Sequence, residues 1–328
     1  MRNLLTLPKA NIHVHLENAL RPTTIRHLAA RHGLALPEGL SGERCVVADF
    51  ADFFVQNAAA RACLVDADDF RRVAFEFCED EAAQGVRYAE VTFTAAAHGE
   101  RTGDWEKPLA AVIDGLHAGR AALGIECRLI LDHSRRRPVE RAWRTLQLAL
   151  DHRDVVVGIG LAGDDAYPAE PFREVFEAAK AAGLASVPHA GESAGPDCIR
   201  EVVTLLHADR IGHGIRAIDD PALAADLCDA AIPLEVCPSS NVALGLVPSL
   251  SAHPLPKLIE KGLAVTLNTD IPAMTGVPIS AEYENVRAAF GFDDARLAAL
   301  ATAGVEASFA PPPLKETVTG AIARWLSD

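Results

Sequence analysis

Eight short apolar, β-branched runs recur along this chain, and amphipathic segments of helical length separate most of them. The runs are "NIHVHL" (11–16), "VRYAEVTFT" (86–94), "ECRLILDH" (126–133), "VVVGIGLAG" (155–163), "ASVPHAGE" (185–192), "RIGHGI" (210–215), "PLEVCPSS" (233–240) and "LAVTLNTD" (263–270). Several are apolar on both faces, as strands of a parallel sheet covered by helices must be. The segments between them carry helical stripes. In 68–84 the stripe is Phe70, Val73, Phe77 and Cys78, with Gly85 at the position that ends a helix. In 107–123 it is Leu109, Val112, Ile113 and Leu116, and in 170–182 it is Phe172, Val175, Phe176 and Ala179 with Gly183 after it. Strand and helix alternating eight times predict an α/β fold, a (β/α)8 TIM barrel, with a doubly wound open sheet as the competing arrangement. The interval 19–84 is too long for one crossover. It is expected to form a helical cap inserted after strand 1, within a single domain of residues 1–328.

Composition narrows the function. A net charge of −14 argues against a nucleic-acid partner. The densest basic run, "SRRRPVERAWR" (134–144), alternates with apolar residues and reads as a loop entering a helix. No apolar run has membrane-spanning length. The N-terminus turns polar too soon for a signal peptide. Seven cysteines, an odd number with no C-x-x-C pair, suit reduced thiols in a cytoplasmic protein.

The polar residues at the strand ends are more informative than the strand count. His13 and His15 end the first run, His189 the fifth, His213 the sixth and Asp270 the eighth. In a parallel barrel all strand C-termini open on one face, so these residues should converge. His13 and His15, two apart on a strand, point to one side and can reach one ion. Read alone, each motif has a plainer explanation: a polar pair, a surface turn at His189, a loop histidine at His213, a helix cap at Asp270. His27, His32, His98, His117, His152, His207 and His253 are assigned solvated or structural roles. Together, three imidazoles and a carboxylate suit Zn²⁺ with one position open. A fourth histidine, His213, and Glu192 remain for proton transfer. The glycines flanking His213 leave the backbone bare for a close approach.

The chain resembles the adenosine/adenine deaminase family of zinc-dependent hydrolases. The resemblance rests on "LPKANIHVHLENALRPTTI" (7–25), "VVGIGLAGDD" (156–165), "HAGE" (189–192), "RIGHGI" (210–215), "LEVCPSSN" (234–241) and "TLNTD" (266–270), in the family's order. It implies one zinc ion per chain, held by His13, His15, His189 and Asp270. It implies that His213 orients and helps deprotonate the attacking water. Glu192 would protonate the ring nitrogen next to the attacked carbon. Gly163 would offer its N–H to a purine nitrogen, and Glu17 would lie near the ribose or its equivalent. The substrate would be an aminopurine nucleoside or related amino-heterocycle, losing ammonia.

Three positions depart from the family pattern. Ile271 stands where a second aspartate reads the purine N7, and is expected to mark an altered base pocket. Asn18 stands in place of a glycine, and Gly160 in place of an acidic residue. These departures leave two other readings open: an amidohydrolase acting on a non-purine substrate, and a non-catalytic ligand-binding relative.

Overall fold

The structure is a computed structural model, and it describes residues 1–327. Eight strands follow one another around a single sheet: β1 (Lys9–His15), β2 (Val86–Phe93), β3 (Glu126–Ser134), β4 (Val156–Ala162), β5 (Ala185–Ala190), β6 (Ile211–His213), β7 (Leu234–Val236) and β8 (Val265–Leu267). Each pairs in parallel with the next. The fold is a (β/α)8 barrel, and every expected run supplies one strand.

The helices follow the same sequence logic. Ala67–Ala83 buries Phe70, Val73, Phe77 and Cys78, and Gly85 then turns with φ +80°. Lys107–Leu123 buries Leu109, Val112, Ile113 and Leu116. The segment at 170–182 divides into a short 3₁₀ turn, Glu170–Phe172, and the helix Arg173–Ala181. Between β1 and β2 the chain forms four helices, the longest after Ala67–Ala83 being Phe50–Ala62.

Closure of the barrel is local and involves a site residue. Val14 and Asp270 form an isolated parallel bridge. The Asp270 N–H donates to the His13 carbonyl, and the His15 N–H to the Asp270 carbonyl, both at 2.9 Å. The helix Asp294–Ala307 packs across β8 and β1 from outside.

The barrel interior is not wholly apolar. Arg210 is buried and paired with Glu90 from β2 and Glu235 from β7, with its guanidinium 4.1 Å from the centre of the Phe309 ring. No helix among the described residues is long and apolar enough to cross a membrane. All seven cysteines are unbonded.

Candidate active site

Strand register brings the expected residues together. The β5–β6 pairing sets His189 opposite Gly212 and Ala190 opposite His213. The β8–β1 bridge places Asp270 beside His13 and His15. Ligand atoms of His13, His189 and His213 lie within 4.8 Å of one another, as do those of His13, His15 and Asp270, and of Glu192, His213 and Asp270. Asp270 Oδ1 is 3.7 Å from His13 Nε2 and 3.5 Å from His15 Nε2, and His15 Nε2 is 3.2 Å from His189 Nε2.

Two of these residues have left-handed backbones without being glycine: Asp270 at φ +59° and His213 at φ +64°. Such conformations cost energy and persist where the surrounding structure enforces them. Asp270 does not cap a helix. The N-cap of Pro272–Thr275 is Ile271, and its side chain makes no capping bond. Instead the Asp270 carboxylate accepts a 2.5 Å hydrogen bond from Ser240 Oγ.

The donor set fits a metal ion. His13 Nε2 and His189 Nδ1 are buried with no hydrogen-bond partner. Burial lowers the pKa of His15, His189 and His213, the last to about 4, which favours the neutral form that binds metals. Burial would lower His13 too, yet Asp270 and Glu235 together raise it to about 10. Two carboxylates thus favour positive charge at this ring. Glu235 Oε2 lies 2.7 Å from His13 Nδ1 and so directs Nε2 toward the cluster.

Glu192 follows β5 and faces His213, with Oε1 3.5 Å from Nε2. Burial, then the neighbouring Asp270 and Asp165 carboxylates, push its pKa well above the usual range. Its backbone N–H donates to Asp165 Oδ2 at 2.9 Å, and Asp165 Oδ1 accepts from the Ala194 N–H at 2.8 Å. Asp165 therefore fixes the loop that carries Glu192.

The tautomer of His213 can be traced from a backbone amide. The Leu255 N–H donates to His253 Nδ1 at 3.1 Å, so the neutral His253 ring carries its proton on Nε2. His253 Nε2 donates to Asn241 Oδ1 at 3.1 Å, which leaves the Asn241 NH₂ facing His213 Nδ1 at 3.4 Å. His213 then holds its proton on Nε2, toward Glu192 and Asp270.

Of the glycines flanking His213, Gly212 faces imidazoles and Gly214 faces Leu234. A Cβ at Gly212 would lie 2.8 Å from His13 Cε1 and 3.1 Å from His189 Cγ, so the bare backbone makes room for two rings rather than for a water. At Gly163, φ is +93° and the residue lines the cavity, leaving its backbone open to a ligand.

The cluster floors a cavity of about 650 Å³. Glu17 and Asn18 line it as well. Burial would raise the Glu17 pKa, but His98 at 3.1 Å and Thr94 hold it low. Asn18 Oδ1 is a buried acceptor without a partner. Ile271 is not among the lining residues. It is 1% exposed and belongs to the hydrophobic core, because the turn closed by its N–H on the Thr269 carbonyl at 2.7 Å takes it off the cavity wall.

Asp132 is a site residue that the strand-end pattern does not single out. It lies on β3 opposite Gly160 of β4, faces His15 Nδ1 at 3.9 Å and lines the cavity. A Cβ at Gly160 would stand 3.1 Å from the Asp132 Cβ. The bare backbone at Gly160 thus leaves room for the Asp132 side chain on the paired strand. Burial, with Glu17 nearby, raises the Asp132 pKa to about 7. Its signal in the sequence is an aspartate closing an otherwise apolar run. Glu235, Ser240, Asn241 and Asp165 lie inside the family-like motifs, but their roles depend on contacts made across strands.

The adenosine deaminase sequence profile matches residues 8–325. This chain belongs to the adenosine deaminase family. It is 38% identical to an aminodeoxyfutalosine deaminase of Streptomyces coelicolor, over 98% of this chain and 86% of that protein. An adenine deaminase from Arthrobacter aurescens superposes with a TM-score of 0.92 at 32% identity, covering 98% of this chain and 99% of the other. An amidohydrolase from Burkholderia ambifaria, solved with bound Zn, superposes at 0.87 with 28% identity, covering 99% and 94%. Membership places the chain among hydrolytic deaminases.

Proposed function

We propose that the protein is a zinc-dependent hydrolytic deaminase of an aminopurine nucleoside or a related amino-heterocycle. The observation that carries this is Glu192, a buried carboxyl held toward its protonated form beside a cluster of three histidines and an aspartate. Removing ammonia from an aromatic ring needs an acid for the ring nitrogen as well as a nucleophile. In this reading His13, His15, His189 and Asp270 hold one Zn²⁺. When bound, the ion lowers the pKa of water and so makes a nucleophile available at neutral pH.

The chain's own groups do the rest. Glu192 delivers its proton to the ring nitrogen, which relieves the negative charge developing there as the amino-bearing carbon is attacked. His213 orients the attacking water through Nε2–H, and acts as a base once Glu192, having given its own proton to the ring nitrogen, has taken that one. Gly163 N–H and Glu17 bind the base and the group attached to it. With Ile271 off the cavity wall, this position presents no carboxyl to a purine N7, and a substrate relying on that contact forgoes about 1–3 kcal/mol if the nitrogen is buried. Residues 1–328 act as one domain in this proposal, with the segment about 19–84 as the cap over the site.

The test is ammonia release from a panel spanning adenine, adenosine and larger amino-heterocycles, alongside elemental analysis. The expected result is about one zinc per chain and turnover of at least one panel member that stops when the metal is removed. A metal-free preparation with full activity would end the zinc reading. Metal-loaded protein that binds panel members but releases no ammonia would favour the non-catalytic alternative.

A further inference from the structure

Arginines gather on one side of the cavity mouth. Arg61 comes from the helix Phe50–Ala62, Arg101 from the helix Ala95–Thr102, and Arg136 and Arg137 from the loop after β3. All four follow β1, β2 or β3, so they occupy one sector of the rim. Among the described residues, none of the four pairs with a carboxylate. A fifth, Arg141, is taken by Glu100 at 2.5 Å. Arg101 donates to the Leu64 carbonyl and faces His98 Nδ1 at 3.1 Å. Arg136 stands over the rings of Phe54 and Tyr167, at 5.8 and 5.9 Å from their centres.

This distribution runs against the whole chain, whose net charge is −14. Elsewhere Arg21, Arg31, Arg72, Arg173, Arg200, Arg210 and Arg287 are among the arginines that pair with acids. The cavity's acids form no ion pair with the four at the rim, although the Arg61 charge favours ionisation of Glu17 and Asp132. Glu17 is bound by Thr94 and His98, Glu100 takes Arg141, and Asp132, Glu192 and Asp270 sit buried at the floor. A concave wall whose guanidinium groups have no carboxylate partner attracts an anion and can bind it bidentately. The volume, about 650 Å³, is that of a site for a ligand larger than a bare purine base.

We infer that the substrate carries an anionic group, a carboxylate or a phosphate, at the end remote from its reacting amino-heterocycle, and that Arg61 and Arg137, with Arg136 beside them, bind it. The inference rests on the deaminase reading only for which end of the ligand faces the floor. A neutral nucleoside would leave these cations facing solvent and gain nothing from them.

The experiment is calorimetric binding of three unreactive, product-like ligands to zinc-loaded full-length protein: inosine, inosine 5′-monophosphate and the 5′-carboxylate of inosine. At least one anion should bind about tenfold to a hundredfold tighter than inosine, as charge-assisted hydrogen bonds would give. Whichever anion gains more identifies phosphate or carboxylate as the natural group. The ratio should shrink at high salt. The double variant Arg61→Gln/Arg137→Gln should collapse it toward one. Both side chains sit at the rim, and an unchanged melting temperature would show that the fold is intact. Inosine binding as tightly as both anions, or a ratio that survives in the variant, would overturn the inference. Binding needs no turnover, so the two readings can fail separately. Anion preference without ammonia release from any substrate keeps this inference and sinks the deaminase. Ammonia release without anion preference does the reverse.

Discussion

Glu192 and His213 both stand within reach of Asp270, yet their environments give them different work. Glu192 is held toward its protonated form because burial and the Asp270 and Asp165 carboxylates oppose its ionisation. His213 keeps its proton on Nε2 through the hydrogen-bond chain from Leu255, His253 and Asn241. Neither is one of the four proposed ligands. Glu192→Gln should therefore retain about one metal per chain while turnover falls by roughly 10²–10⁴-fold, since an amide cannot supply the proton. Elemental analysis and an ammonia assay on the same preparation check this, and loss of zinc would make Glu192 a ligand instead. His13→Ala should behave in the opposite way, losing metal and activity together. It would also leave the Glu235 carboxylate with only Arg210 as partner.

At the scale of elements, the short helix Pro238–Ala243 after β7 is held from two sides. Ser240 bonds Asp270, and the Ser239 N–H donates at 2.8 Å to Glu282 of the helix Ile279–Phe290. Glu282 is buried and its Oε2 has no partner, and burial raises its pKa from 4.5 to about 7. Between those two values the folded chain holds a proton that the unfolded chain has released. This group's contribution to stability is therefore complete below about pH 4.5 and is lost as pH rises through about 7. The loss amounts to up to about 3 kcal/mol at 1.36 kcal/mol per pH unit. Glu282→Gln should remove that part of the slope, so the variant gains on wild type as pH rises. Urea unfolding at pH 5 and pH 8 measures it, and an unchanged difference between the two would show that Glu282 ionises without cost.

For the whole molecule, the barrel is joined internally by charge as well as by apolar packing. Arg210 links β2 to β7 through Glu90 and Glu235, and Glu235 in turn positions His13. Removing one partner of a buried ion pair strands the others, at about 3–5 kcal/mol. Arg210→Met should destabilise the fold by that order and also weaken metal binding, read by urea unfolding and by chelator competition. A variant that loses stability but binds metal normally would confine Arg210 to the scaffold. Metal removal should lower the melting temperature too, because the proposed ligands come from β1, β5 and the residue that bridges β8 to β1.

Much of this is legible in the chain itself. Strands buried on both faces must be apolar and helices must carry a stripe, so the eight runs and the segments between them mark a barrel. Strand C-termini must share one face, so His13, His15, His189, His213 and Asp270 can be grouped from the amino-acid order alone. These are local constraints, written in periodicity and in which residues end a strand. What the sequence leaves open depends on distance between strands. Asp132 gains its place from pairing with Gly160, and Gly212 matters for two rings that come from other strands. Ile271 lies in the core because Asp270 adopts a left-handed turn just before it. The arginines at the rim are spread along the chain from 61 to 137, in segments whose local pattern is that of solvated helix and loop. Only the closed barrel sets them along one wall, because a side chain's partners are fixed by register and closure, which no single stretch of sequence contains.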